Sequence, residues 1–117
     1  MKSPITIYQK PTCTTCRQTM MILKESGVDF EAINYYIDPI PKKKLKELLN
    51  KMKLSAKDIL RTKEPIYKEL KLAGRDLSDE ELIDLMVSHP DLIQRPIVEK
   101  GTKAILARPA ERIKTIL

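Results

Sequence analysis

Two cysteines three residues apart, Cys13-Thr14-Thr15-Cys16, stand between a β-branched run, Ile5-Thr6-Ile7-Tyr8, and a stretch that reads as helix from about Thr14 to Ser26. A strand that feeds a helix through Lys10-Pro11-Thr12 puts Cys13 at the helix amino terminus, the setting that a redox reading of Cys-x-x-Cys requires. Exposed backbone N–H groups and the positive end of the helix macrodipole favour a thiolate there, and Arg17 is expected to add positive charge. Cys13 is therefore the expected nucleophile. Cys16, one turn further in, is expected to be sheltered by packing yet close enough to attack a sulfur adduct on Cys13, the role of a resolving thiol. Two alternatives stand beside this: inert core thiols, and a zinc site, which needs about four ligands and would find only two Cys and His89 in one chain.

The remaining pattern extends this opening. Gly27 is placed to stop the first helix, and Phe30 to Tyr36 reads as a second strand broken by Asp38-Pro39-Ile40-Pro41. Leu45, Leu48, Leu49 and Met52 then recur at helical spacing. Short helical pieces are expected around Ser55 to Leu60 and Pro65 to Leu72. A longer helix from about Asp79 to Ser88 opens on the capping-box pattern Ser78-Asp79-Glu80-Glu81 and carries Leu82, Ile83, Leu85 and Met86. Arg95-Pro96-Ile97-Val98-Glu99, Gly101-Thr102 and Lys103-Ala104-Ile105-Leu106 predict a β-hairpin, and Pro109 opens a last helix bearing Ile113, Ile116 and Leu117. The fold class is α/β: β-α-β, a helical insert at about 41–90, then β-β-α, with a small mixed sheet.

At 117 residues and 42% apolar composition, the chain is sized for a single domain, 1–117, with one core. Its apolar runs fall far short of the ~20 residues that cross a bilayer. The start, Met1-Lys2-Ser3-Pro4-Ile5, lacks the architecture of a secretory leader, so a cytoplasmic protein is expected. A net charge of +6 favours anionic partners, but the lysines are spread out, and the run Lys42-Lys43-Lys44 reads as a solvated helix start. One Phe, four Tyr and no Trp leave few platforms for stacking bases, so direct nucleic-acid binding is not expected. Tyr8 and Met20 read as core, and His89 as a structural residue at a helix end.

Ile5-Thr6-Ile7-Tyr8-Gln9-Lys10-Pro11-Thr12-Cys13 resembles the strand and catalytic loop of the glutaredoxin-dependent arsenate reductases (ArsC family), within the ArsC/Spx/YffB thioredoxin-fold superfamily. Leu60-Arg61-Thr62-Lys63-Glu64 and Leu92-Ile93-Gln94-Arg95-Pro96-Ile97-Val98 are similar to that family's later motifs, and Ala107-Arg108-Pro109 falls where it carries a last arginine. The resemblance implies a thioredoxin-like fold in which Cys13 attacks arsenate while Arg61, Arg95 and Arg108 hold the oxyanion. A planar, permanently charged fork suits that task. It also implies that Pro96 is a cis proline facing the active cysteine.

Gln9 stands where these reductases usually have His; it offers hydrogen bonds to a substrate but carries no charge. The pair Cys13 and Cys16 is more typical of Spx-type regulators, which toggle a disulfide and contact RNA polymerase. The resemblance thus implies a monomeric enzyme with no bound cofactor, using glutathione with glutaredoxin, or thioredoxin, as reductant. Two alternatives are a redox-switched module that binds RNA polymerase and a general glutathione-dependent thiol reductase.

Overall fold

The computed structural model describes residues 4–117, so the reading of Met1-Lys2-Ser3 lies outside the described residues. The chain forms two compact units: the segment up to Asp38 together with Arg95–Leu117, and Pro39–Gln94 between them in sequence.

The first unit holds every described strand. β1 (Ile5–Gln9), β2 (Glu31–Asn34), β3 (Ile97–Lys100) and β4 (Lys103–Leu106) form one sheet in the order β2-β1-β3-β4. β1 runs parallel to β2 and antiparallel to β3, and β3 is antiparallel to β4. A parallel neighbour demands a crossover, which α1 (Thr14–Glu25) supplies. Period-two alternation sends Ile5 and Ile7 to one face, where they pack with Leu23 of α1 and with Val98, Ala107 and Ile113. Met20 leans on the same cluster, and Tyr8, on the opposite parity, is buried with its hydroxyl 3.5 Å from Glu99 Oε1.

β2 is shorter than the expected Phe30 to Tyr36. Asn34 ends it: its side-chain Oδ1 accepts the Tyr36 N–H at 3.1 Å, and its carbonyl accepts from Ile37 and Asp38 at 3.0 and 2.9 Å. Asparagine thereby replaces the ladder with a turn, and Tyr35 and Tyr36 lie in it. β3 begins at Ile97, after Arg95 and Pro96, because proline has no N–H to give a ladder. The last segment is not the ordinary helix expected from Pro109 but a 3₁₀ helix, Ala110–Thr115. With three residues per turn it brings Ala110, Ile113 and Ile116 to one side, the first two fully buried, while Leu117 is exposed.

The second unit is helical: α2 (Lys42–Met52), α3 (Pro65–Glu69), α4 (Asp79–Ser88) and 3₁₀ turns at Ala56–Ile59 and Pro90–Leu92. α2 buries Leu45, Leu48 and Leu49, and α4 buries Leu82, Ile83 and Met86, with Leu85 half-buried. The capping box at the start of α4 forms as expected: Ser78 Oγ accepts the Glu81 N–H at 3.2 Å, and Glu81 Oε1 accepts the Ser78 N–H at 3.3 Å. Lys42 reaches from α2 to Glu80 and Asp84 of α4 at 2.8 and 2.7 Å, so the lysine run is partly paired. No described helix is long and apolar enough to cross a membrane.

Gly27 stops α1 as expected, with φ at +71° and open space where a Cβ would stand. Only the left-handed backbone should then resist substitution. Gly27→Ala is expected to lose about 1 kcal/mol in urea unfolding and Gly27→Asn less, because asparagine tolerates this conformation.

Candidate active site around Cys13

The turn from β1 into α1 is closed by the cysteine itself. The Cys13 N–H donates to the Lys10 carbonyl at 2.9 Å, and the Cys13 carbonyl accepts the Arg17 N–H at 3.0 Å, the first bond of the helix. Cys13 is the N-cap, in extended conformation, and its Sγ accepts the Cys16 N–H at 3.4 Å. A sulfur thus occupies the place where a serine or aspartate oxygen would normally satisfy an unpaired helix N–H.

The two thiols are driven apart in acidity. Burial pushes Cys13 up, but hydrogen bonds from the Cys16 thiol and N–H, together with the Arg95 guanidinium, outweigh it, so Cys13 titrates below an ordinary cysteine. Burial above all pushes Cys16 up to about 12, and the neighbouring Cys13 thiolate adds to the rise. Cys13 is half-buried and Cys16 has no exposed surface. The pair therefore consists of one half-buried sulfur that ionises more readily than an ordinary cysteine and one buried thiol that resists ionisation.

The cation that acts on Cys13 is Arg95, not the expected Arg17, which is an exposed residue of α1. Arg95 is 7% exposed, and its Nη1 donates to the Tyr36 hydroxyl at 3.4 Å. Its carbonyl accepts Arg108 Nη1 at 2.8 Å, so Arg108 anchors the backbone that carries Arg95. The Arg95-Pro96 bond is cis, in agreement with what the resemblance implies; Arg108-Pro109 is cis as well, which nothing in the sequence foretold.

Gln9 ends β1 at 5% exposure, and its Oε1 has no hydrogen-bond partner among the described residues. Arg61 belongs to the second unit, where it donates from Nε to Glu64 at 2.9 Å and from Nη1 to Gln94 at 3.2 Å. His89 closes α4 through its backbone N–H, 2.7 Å from the Leu85 carbonyl. Neither Tyr36 nor Lys10 stands out in the sequence, yet Tyr36 meets Arg95 and Lys10 lies over the Tyr36 ring. The Asn34 turn signal, read correctly, would have lifted Tyr36 out of the strand.

Residues 8–116 match the ArsC family. YfgD of Escherichia coli strain K12, whose name assigns it no activity, is 41% identical over 100% of this chain and 99% of its own length. An arsenate reductase of Neisseria meningitidis serogroup A is 36% identical over 97% of both chains. Among solved structures, an arsenate reductase from Vibrio cholerae superposes with a TM-score of 0.93 at 35% identity, each chain covered in full. The four-stranded mixed sheet with its crossover helix is thus a thioredoxin-like fold of the kind that family shares.

If Arg95 supplies the charge, its removal must raise the Cys13 pKa. Following thiolate absorbance against pH in a Cys16→Ala background, Arg95→Ala is expected to shift the Cys13 transition upward, whereas Arg17→Ala leaves it in place.

Proposed function

Because the chain belongs to the ArsC family, we propose that it is a thiol-dependent oxidoreductase that reduces arsenate to arsenite through a thiol–arsenate adduct on Cys13. One observation supports this above all: a sulfur biased toward thiolate at a helix amino terminus lies under the charge of a buried arginine. A multiply charged oxyanion is attracted by that guanidinium, and the same guanidinium stabilises the nucleophile that must attack it. Arg108, already tied to the Arg95 carbonyl, adds a second guanidinium, and Gln9 and the backbone beside Pro96 are further groups of the same unit assigned to the substrate.

The chemistry balances with two thiols. The Cys13 thiolate attacks arsenic, the S–As bond forms, and one arsenate oxygen departs as water after taking up protons. A second thiol then attacks the Cys13 sulfur: the S–As bond breaks, its electron pair stays on arsenic, As(V) becomes As(III), and the two sulfurs are left as a disulfide.

Cys16 is the nearest second thiol, and its attack would end in a Cys13–Cys16 disulfide that a thioredoxin reduces. Burial above all holds the Cys16 thiol protonated, pushed up to about 12 beside the free Cys13 thiolate, and the thiolate's part of that rise ends once Cys13 carries arsenic. An effective molarity of ~10⁵ M or more for a well-placed neighbour counters the remaining cost of ionising it. Glutathione followed by glutaredoxin is the external route.

Arsenate-dependent NADPH oxidation, run separately with each donor system, tests the reading. Turnover is expected to vanish in Cys13→Ser, and kcat/KM to fall on the order of 10²-fold in Arg95→Ala. Cys16→Ser is expected to lose the thioredoxin-supported rate and keep the glutathione-supported one. No turnover by the wild type with either donor contradicts the proposal.

A further inference from the structure

Tyr36 holds two cations at once. The Lys10 ammonium lies 4.6 Å from its ring centroid, and the Arg95 guanidinium carbon 5.9 Å from the same centroid, both within the ~6 Å over which an aromatic quadrupole attracts positive charge. The Tyr36 hydroxyl also accepts from Arg95 Nη1 at 3.4 Å. The ring is itself fixed: Asn34 Oδ1 takes the Tyr36 N–H, and Tyr35 packs against it with centroids 5.1 Å apart.

The backbone of Lys10 is equally committed, since its carbonyl takes the Cys13 N–H at 2.9 Å. Thus one aromatic side chain, delivered by the turn after β2, ties the loop that carries the nucleophile to the arginine that acts on it. Two cations gathered on one ring repel each other, and an anion between or beside them relieves that repulsion.

We infer that Tyr36 is the positioning residue of the oxyanion site, orienting Arg95 toward the Cys13 sulfur, and that Lys10, held on the same ring, is a further cation of that site beside the two arginines. The assignment deepens the reductase reading and rests on Arg95 being a ligand of the oxyanion. Sequence pattern alone did not single out either residue: Lys10 read as part of a turn and Tyr36 as the end of a strand.

The test uses the full chain and two readouts. The first is the pH transition of the Cys13 thiolate in a Cys16→Ala background, which needs no arsenate and so reports on Tyr36 even if the reductase reading fails. The second is the KM for arsenate, read against kcat. Tyr36→Leu is expected to raise the Cys13 transition and to raise KM about tenfold, with a smaller effect on kcat.

Lys10→Gln is expected to raise KM by severalfold in the wild-type background and by little once Tyr36 is leucine, because the ring that places the ammonium is gone. Circular dichroism establishes that the variants are folded. Should Tyr36→Leu fail to fold, Tyr36→Phe is read instead. With only the Arg95 acceptor removed, a rise of about threefold in KM together with an upward Cys13 transition supports the assignment, and wild-type values for both overturn it. An unchanged Cys13 transition in folded Tyr36→Leu, or strictly additive effects of Lys10→Gln and Tyr36→Leu, likewise overturns it.

Discussion

The hydrogen bond from the Cys16 N–H to the Cys13 sulfur is the interaction on which the chemistry of the first unit depends. It exists because β1 ends at Gln9 and the loop Lys10-Pro11-Thr12 turns the chain so that Cys13 caps α1. The first turn of a helix leaves N–H groups without intrahelical partners, and here the Cys13 sulfur takes one of them. Capping of the helix and the lowered pKa of Cys13 therefore share one contact, since a thiolate caps the helix better than a thiol does.

Burial works against that activation, and the surroundings answer it with charge. Cys16 and Arg95 are both withdrawn from water, which strengthens the field of the guanidinium at Cys13 while discouraging ionisation of Cys16. The site can keep a cation so deep only because several groups receive it: the Tyr36 hydroxyl and ring accept the side chain, and Arg108 grips the carbonyl of the same residue.

Much of the first unit was legible from residue pattern. β-branched alternation marked β1, Gly27 marked the end of α1, and Gly101-Thr102 marked the β3–β4 hairpin, because each signal is local and has a single physical cause. Cys13 and Cys16 were legible for the same reason. The misreadings came where several local signals overlapped or where the partner was distant. Asn34 was absorbed into an aromatic strand because Tyr35 and Tyr36 favour strands, although the asparagine side chain had the stronger hold on the backbone. The terminal segment read as an ordinary helix because spacing of three serves a 3₁₀ helix and an α-helix alike over six residues. Closeness in sequence points to Arg17 as the charge near Cys13; Arg95 acts on the sulfur through the pairing of β1 with β3, which no local pattern displays.

Whether Cys13 ionises more readily than an ordinary thiol beside an oxyanion site is tested most directly by the rate at which iodoacetamide alkylates it near neutral pH. The account predicts alkylation faster than that of a free cysteine and saturable protection by arsenate, since the anion and the alkylating agent compete for the same sulfur. Alkylation at the slow rate of an ordinary half-buried thiol, unaffected by arsenate, would contradict it.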